Sequence, residues 1–208
     1  MLFNAKKCVH IQVGKSVPDT RVMLGDKVIP CSDSFKYLGV QIHSSLKWKT
    51  HIIEVAAKGN RTLGMIKRGL RGAPIKTKLI AYNTTVKPIL EYASQVWSPY
   101  NEYLKLALER VQRDAVRWIY FLGKRESVTD CMERNHILPL SDRRETLDMS
   151  FLRKIECGLF DIGLNQYIQL THSHDTRGKS TSWAYNINPW KYSYYNRVRK
   201  DVKVFFSS

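Results

Sequence analysis

Between residues 103 and 122, apolar side chains recur at the spacing of one face of an α-helix. The stripe consists of Leu104, Leu108, Val111, Ala115, Trp118 and Leu122. Because positions i, i+4 and i+7 share a face, this spacing predicts an amphipathic helix over Tyr103–Phe121 with one buried side. It is the strongest helical signal in the chain.

Comparable patterns predict helices before this one. Apolar residues recur at helical spacing over Trp48–Gly69 and again after Pro88. Pro74 suits the first turn of an intervening helix, where its missing N–H is not needed, and Pro88 is expected to end or kink that helix. Ser98-Pro99 then forces a turn.

Two more helices are predicted further along, over Val128–Arg134 and over about Ser141–Leu159. Ser141 and Glu145 form an imperfect capping box, one residue too long, at the start of the second. Gly59 and Gly64 weaken the first predicted helix, because a glycine in a helix interior costs about 1 kcal/mol relative to alanine.

Residues 1–45 show strand patterns instead. These are an alternation over Val9–Val13, a hairpin signal in which Gly25-Asp26 separates Arg21–Leu24 from Lys27–Ile29, and a short strand over Phe35–Ile42. The chain is therefore predicted to be α+β, with a short antiparallel β segment at about residues 8–42 followed by a mainly helical bundle. A sheet this small leaves an apolar face that packs on the following helices or on a segment upstream.

The charge of the chain points to its partner. With 34 Lys and Arg against 18 Asp and Glu, the formal net charge is +16, while 43% apolar and 11% aromatic residues are typical of a folded protein. Such an excess favours a polyanion, because basic side chains that meet phosphates release condensed counterions. A merely basic, solvated surface is the alternative.

The cysteines and the apolar runs limit other classes. Cys8, Cys31, Cys131 and Cys157 are far apart and have no histidine at ligand spacing, which argues against a zinc or redox motif. Isolated cysteines without a secretory leader predict reduced thiols in an intracellular protein, nuclear or cytoplasmic. No apolar run is long enough to predict a membrane span.

No catalytic or metal-binding residue is predicted. Two-metal polymerases need paired carboxylates, and the sequence contains no Asp-Asp pair. Asp26 and Asp33 are interpreted as turn residues, and His172 and His174 as polar linker residues. Neither a glycine-rich phosphate loop nor a GxSxG motif is present, so any affinity for nucleic acid must come from side chains.

Basic side chains cluster on three of the predicted helices. The candidate nucleic-acid-binding residues are Lys67, Arg68, Arg71, Arg110, Arg113, Arg117, Arg143 and Arg144. Guanidinium groups at one-turn spacing suit a track along phosphates. Trp97 and Trp118 lie on apolar stripes and are predicted to be core, whereas Trp183, Trp190, Tyr192, Tyr194 and Tyr195 are better candidates for stacking on bases.

Several phrases then occur in a recognisable order between residues 4 and 160. They are Asn4–Cys8 (NAKKC), Phe35–Val40 (FKYLGV), Leu46–Ile52 (LKWKTHI), Leu90–Pro99 (LEYASQVWSP), Leu108–Arg117 (LERVQRDAVR) and Leu138–Arg144 (LPLSDRR). As an ordered set they resemble the primer grip and thumb of a jockey-type non-LTR (LINE) retrotransposon reverse transcriptase.

The resemblance implies three parts: a truncated palm and primer-grip β segment at 1–45, a helical thumb-like domain at 46–162, and a linker with a basic aromatic tail at 163–208. It implies primer-grip roles for Tyr37, Leu38 and Gly39, and non-specific binding of an RNA–DNA hybrid or duplex through phosphates. The palm, the fingers and the aspartates that hold Mg²⁺ lie upstream in this family. The chain is therefore expected to need no cofactor and to lack polymerase activity of its own.

Two other interpretations stay open. The chain resembles an enzyme fragment whose β segment once met a palm, so it can also be a helical protein-interaction module that self-associates or binds a missing upstream part. Alternatively, it is a decayed mobile-element product with no selected function.

Overall fold

The computed structural model describes residues 4, 7–13 and 21–160, together with the backbone of two later strands. The strands are β1 (Met23–Leu24), β2 (Lys27–Val28), β3 (Ser34–Tyr37), β4 (Val40–His43), β5 (Ile168–Ser173) and β6 (Ser182–Ile187). The helices are α1 (Lys49–Gly69), α2 (Ile75–Ala81), α3 (Lys87–Glu91), α4 (Ser94–Trp97), α5 (Glu102–Ile119), α6 (Val128–Arg134) and α7 (Leu140–Glu156), with a π segment at Tyr82–Val86 between α2 and α3. Small antiparallel sheets precede a set of helices, and the predicted α+β class is confirmed.

Two hairpins make up the β segment. β1 and β2 pair antiparallel around Gly25-Asp26, as predicted. The single strand predicted over Phe35–Ile42 is wrong, because Leu38 and Gly39 form a two-residue turn that pairs β3 with β4. The strand predicted over Val9–Val13 is also wrong, since within residues 7–13 and 21–160 this segment forms an isolated bridge between His10 and Cys31 and no ladder.

α1 runs unbroken for 21 residues despite its two interior glycines. Gly59 is buried, and a Cβ placed on it would lie 2.9 Å from Leu90 Cδ2 and 3.4 Å from Val111 Cγ1. The missing side chain therefore lets α1 approach α3 and α5 closely. Gly64 has no such role, since a Cβ placed on it would have Arg68 Nη1, at 3.6 Å, as its nearest neighbour.

Pro88 does not end the second helical region. The helical path continues from Ile75 to Glu91 because the backbone widens into the π segment just before Pro88. A proline in an α-helix removes one N–H and clashes with the carbonyl four residues earlier, and a π segment relieves that clash. Thr84 and Thr85 donate their hydroxyls to the carbonyls of Ile80 (2.9 Å) and Ala81 (2.6 Å), which supplies hydrogen bonds where the ladder changes.

The main core joins the β3–β4 hairpin to α1, α3, α4, α5 and the start of α7. Its buried members are Val40, Ile52, Ala56, Leu63, Ile66, Tyr82, Val86, Leu90, Trp97, Leu104, Leu108, Val111, Ala115, Ile119 and Leu140. The predicted stripe of α5 thus faces inward, and Trp97 is fully buried, as expected. A smaller cluster of Val116, Val128, Cys131 and Met132 attaches α6.

Helix ends follow the predictions less closely. The predicted capping box at Ser141 and Glu145 is wrong, because α7 begins at Leu140 after Pro139 and has no side-chain cap. At α6 the cap is Ser127, whose hydroxyl accepts from the Asp130 N–H at 3.2 Å. α5 ends with Phe121 in the left-handed conformation (φ 56°), and the Leu122 N–H donates to the Arg117 carbonyl at 3.0 Å.

Lys78 attaches α2 to this end of α5. Its side chain is fully buried, and its Nζ lies 3.7 Å from the ring centroid of Phe121 and 5.1 Å from that of Trp118. Within the described part of the chain the ammonium has no hydrogen-bond partner, so the aromatic faces supply its electrostatic stabilisation.

The region beyond residue 163 is described only in part. β5 and β6 pair antiparallel, with Ile168 opposite Ile187 and Ser173 opposite Ser182. Thr171–Ser173, predicted as linker, therefore lies in a strand. Ser182, also predicted as linker, begins β6, which continues into the predicted tail to Ile187. The other residues of 163–208, apart from the backbone of these two strands, lie outside the described residues.

The two glycines of α1 give a matched test of this packing. We expect Gly59→Ala to be less stable than Gly64→Ala by about 1–3 kcal/mol, because only the first substitution overpacks the core at Leu90, while both gain helix propensity. Urea unfolding of the two variants measures the difference. Equal stabilities would contradict the close α1–α3 contact.

Candidate nucleic-acid interface

A cleft of about 670 Å³ lies between the β3–β4 turn, α1 and α3. Three basic side chains and one carboxylate line it: Lys36, Lys58, Arg61 and Glu54. The turn residues Leu38 and Gly39 also line it, together with Tyr92, which contacts the turn. The cleft thus combines an excess of positive charge with apolar and aromatic walls.

The turn at the rim is held in an unusual conformation. Leu38 and Gly39 both have positive φ, 46° and 85°, which is the pattern of a type I′ hairpin turn. Leucine rarely adopts this conformation, and its side chain is 73% exposed here. The Tyr92 hydroxyl donates to the Leu38 carbonyl at 2.9 Å, which fixes the strained turn against α3.

Of the three primer-grip-like residues predicted from the sequence, the structure brings two to the cleft. Leu38 and Gly39 line it, whereas Tyr37 is exposed at the end of β3 and is not among the lining residues. A Cβ on Gly39 would lie 3.6 Å from the Tyr92 ring, and the positive φ also favours glycine at this position.

The exposed face of α1 continues the cleft as a stripe. Glu54, Lys58, Arg61, Met65 and Arg68 are all exposed and follow one another at spacings of four, three, four and three residues. Such positions share one face of a helix. From Lys58 to Arg68 the stripe extends about 15 Å along the axis. It places three cations in a row on the solvent side of α1.

His51 forms part of the buried end of the cleft. It is 4% exposed, its Nδ1 accepts from the Gln41 N–H at 3.2 Å, and its ring meets that of Trp97 edge-on at 5.3 Å. Burial lowers the pKa of His51, and nearby Lys36 lowers it further against the opposing charge of Glu54. The imidazole is therefore neutral at pH 7, with its proton on Nε2, which has no hydrogen-bond partner among the described residues.

The first predicted basic cluster is divided by the structure. Arg68 lies on the α1 stripe, and Arg71 is exposed in the turn that follows α1. Lys67 points away from both and binds Asp114 of α5 at 2.6 Å. Of this predicted cluster, Arg68 and Arg71 are therefore exposed, whereas Lys67 is paired with Asp114.

The α5 arginines face a different environment. Arg110 and Arg113 line a groove of about 650 Å³ between α5, α6 and the start of α7, where Lys105 is the third basic residue. Four acidic residues line the same groove: Glu102, Glu109, Glu133 and Asp142. Arg117 is half-buried and donates to the Gly123 carbonyl at 2.9 Å. The carboxylates oppose the approach of a polyanion to this cluster, whereas the cleft beside α1 has only one carboxylate among its lining residues.

Arg143 forms an ion pair with Glu91, and Arg144 is buried near carboxylates without a hydrogen bond from Nη1 or Nη2 to any described residue. Arg143 binds both carboxylate oxygens of Glu91, at 2.5 and 3.2 Å. Arg144 is 2% exposed, with its Nη2 4.0 Å from Glu109 Oε1. Burial lowers the pKa of Arg144, and the charges of Glu109, Glu91 and Asp148 oppose that shift. The structure thus places Arg144, one of the predicted nucleic-acid-binding residues, in the interior.

Sequence reasoning missed Lys36, Lys58, Arg61 and Tyr92. The spacing of Lys58, Arg61, Met65 and Arg68 was a usable signal, because it marks one polar face of a helix whose other face is apolar. Lys36 and Tyr92 carried no such signal, since only the fold brings them to the cleft.

The structure also contains information on metal ligands, membrane spans and the candidate stacking residues. In the part of the chain that it describes, no group of three His, Cys, Asp or Glu residues could hold a metal ion. None of the described helices has the length and hydrophobicity that a bilayer span requires. The candidate stacking side chains of Trp183, Trp190, Tyr192, Tyr194 and Tyr195 fall outside the described residues.

Comparison with known proteins identifies no matching family model, no similar curated protein and no matching solved structure. The reverse-transcriptase resemblance therefore stays a prediction that rests on the phrases of the sequence.

The buried position of Arg144 leads to a test of its role. We expect Arg144→Ala to lower the free energy of unfolding by about 3 kcal/mol or more, because it leaves buried carboxylates without their cation. Arg110→Ala, at an exposed position, is the control and should change stability by less than about 0.5 kcal/mol. Urea unfolding measures both, and similar values for the two variants would refute the internal role of Arg144.

Proposed function

We propose that this protein binds nucleic acid through the cleft and the α1 stripe, without sequence specificity. The observation that carries the proposal is the row of Lys58, Arg61 and Arg68 on one exposed helix face, continuous with a cleft that holds a single carboxylate. The net charge of +16 supports the same partner. An RNA–DNA hybrid or a duplex is the proposed ligand.

The geometry suits contacts with phosphates. One strand of a B-form duplex carries a phosphate about every 3.4 Å along the axis, so a 15 Å stripe faces about four of them. Guanidinium groups bind phosphate oxygens in pairs, and lysine acts as a point charge. Contacts of this kind position a duplex but do not distinguish its bases.

We further propose that the chain is the primer-grip and thumb portion of a non-LTR retrotransposon reverse transcriptase. In that assignment the Leu38-Gly39 turn supports a strand end at the rim of the cleft, while α1 follows the duplex backbone. The sequence lacks paired catalytic aspartates, so the proposed role is binding without polymerase activity. Mg²⁺ would belong to the upstream part of a complete enzyme, and the proposed location is intracellular, nuclear or cytoplasmic.

The salt dependence of binding tests this function. If about six phosphates are contacted, a plot of log affinity for a 20-base-pair RNA–DNA hybrid against log salt should have a slope near −5. Replacing Lys58, Arg61 and Arg68 together with alanine should reduce the magnitude of that slope by up to about 3, since each phosphate contact contributes about one unit. Fluorescence anisotropy at several salt concentrations measures both values.

The matched control replaces Arg110 and Arg113, which lie among carboxylates, and should leave the slope nearly unchanged. Affinity that does not depend on salt, absence of binding at low salt, or an equal effect of both sets of substitutions would contradict the proposal.

A second candidate function is protein association through the β3–β4 hairpin. Large apolar side chains around it are exposed: Tyr37, Leu38, Ile53, Tyr92 and Val96. Within the described residues the hairpin is a two-stranded sheet, so both of its outer edges lack a strand partner. Exposed edges and apolar patches of this kind favour self-association or binding of another chain.

Sedimentation velocity over a range of concentrations tests this candidate. We expect the sedimentation coefficient to rise with concentration, and Leu38→Asp to suppress that rise, because a charge at the turn opposes burial of the patch. A concentration-independent monomer would leave nucleic-acid binding as the sole proposal.

A further inference from the structure

A second concave site lies where α1 and α5 begin. Its volume is about 330 Å³, and its walls come from residues 46–52 and 98–104. Three aromatic side chains, Trp48, Tyr100 and Tyr103, line it together with Lys47 and Lys49. It is separate from the cleft described above, since no residue lines both.

The tyrosines of this site are not part of the core. Tyr100 and Tyr103 are 55% and 54% exposed, although Trp97, only a few residues earlier, is completely buried. Trp48 is half-buried and packs against the main core, which holds its ring in place. The site therefore presents aromatic surface to solvent on a rigid support.

The charges of the site select the class of ligand. Its lining residues include two lysines and no acidic residue, in contrast to the α5–α6 groove with its four carboxylates. A proline-rich peptide would also suit the aromatic rings, but it would leave both ammonium groups without a counter-charge. A planar group joined to an anion would contact the aromatic rings and also neutralise the lysines, and a nucleotide combines these two parts.

The position of the site relates it to the cleft. His51 lines the cleft and Ile52 lines this second site, so the two lie on different sides of the first turns of α1. Both sites therefore border the first turns of α1.

We propose that this site binds an unpaired nucleotide, with its base stacked on Tyr100 and Tyr103 and its phosphate near Lys47 and Lys49. The proposal deepens the proposed function, because the same strand would occupy both sites. The two proposals can still be tested separately, because stacking of a single strand at this site does not require the duplex cleft.

Three ligands distinguish the parts of the proposal: a blunt RNA–DNA hybrid, the same hybrid with an unpaired five-nucleotide extension, and a single-stranded oligonucleotide of the same five nucleotides. We expect the extension to increase affinity about tenfold, which corresponds to about 1.4 kcal/mol and lies within the range for one base stacked on an aromatic side chain. Fluorescence anisotropy at fixed salt gives the three affinities.

Variants then assign the gain to the site. Tyr100→Ala combined with Tyr103→Ala should remove the gain from the extension and leave the affinity for the blunt hybrid unchanged. Tyr103→Phe keeps the ring and should keep the gain. Leu106→Ala is the matched control, because Leu106 lies one turn further along α5, is 52% exposed and is outside the site. Circular dichroism confirms that each variant is folded.

The outcomes separate the two proposals. Binding of the single strand that depends on the tyrosines, without any binding of the blunt hybrid, would support this site and remove the proposed duplex function. The inference is overturned if the extension adds no affinity, if the gain survives loss of both tyrosines, or if a proline-rich peptide and no single strand binds in a tyrosine-dependent manner. Competition by a mononucleotide would also support stacking of a base and binding of a phosphate at this site, and would show that a free nucleotide can be the ligand.

Discussion

The contact of α1 with α3 and α5 at Gly59 determines the geometry of everything around it. At this position the side chains of Leu90 and Val111 occupy the space that a side chain on α1 would fill, so they pack directly against the α1 backbone. α1 supplies one face to the core and the opposite face to the basic stripe. Because Val40 of the hairpin joins the same core, the distance between the β3–β4 turn and the stripe follows from this packing.

The same fold decides which basic residues face solvent. Periodicity predicted the apolar faces of α1 and α5 well, because a stripe of large apolar side chains has a strong preference for burial. It could not predict the internal ion pairs, since their partners are distant in sequence: Arg143 and Glu91 are 52 residues apart, and Lys67 and Asp114 are 47 apart. The eight predicted binding residues therefore have different environments that only the structure distinguishes: Arg68 and Arg71 are exposed, Arg110 and Arg113 are flanked by carboxylates, Lys67 and Arg143 are ion-paired, Arg117 binds the Gly123 carbonyl, and Arg144 is buried.

Backbone exceptions account for the other differences between sequence and structure. Leu38-Gly39 lacks the Asn-Gly or Asp-Gly pair that marks most type I′ turns, so its apolar flanks suggested one continuous strand. Pro88 suggested a helix end or kink, and the helical path in fact continues through a π segment that accommodates the proline. Helices with ordinary boundaries, such as α5 and α6, were predicted to within two residues at each end. The cleft combines a hairpin turn, a helix face and Tyr92, and no local pattern in the sequence links these three.

At the end of α5, the backbone conformation of residue 121 favours glycine, whereas the contact with Lys78 requires an aromatic ring. Phe121 occupies a left-handed backbone conformation that glycine would adopt without strain, yet its ring covers the ammonium of Lys78. A glycine there would relax the chain and admit water to the amine. Shielded as it is, this amine should react with acylating reagents only when the last turn of α5 opens, so its rate of labelling would report that local motion separately from global unfolding.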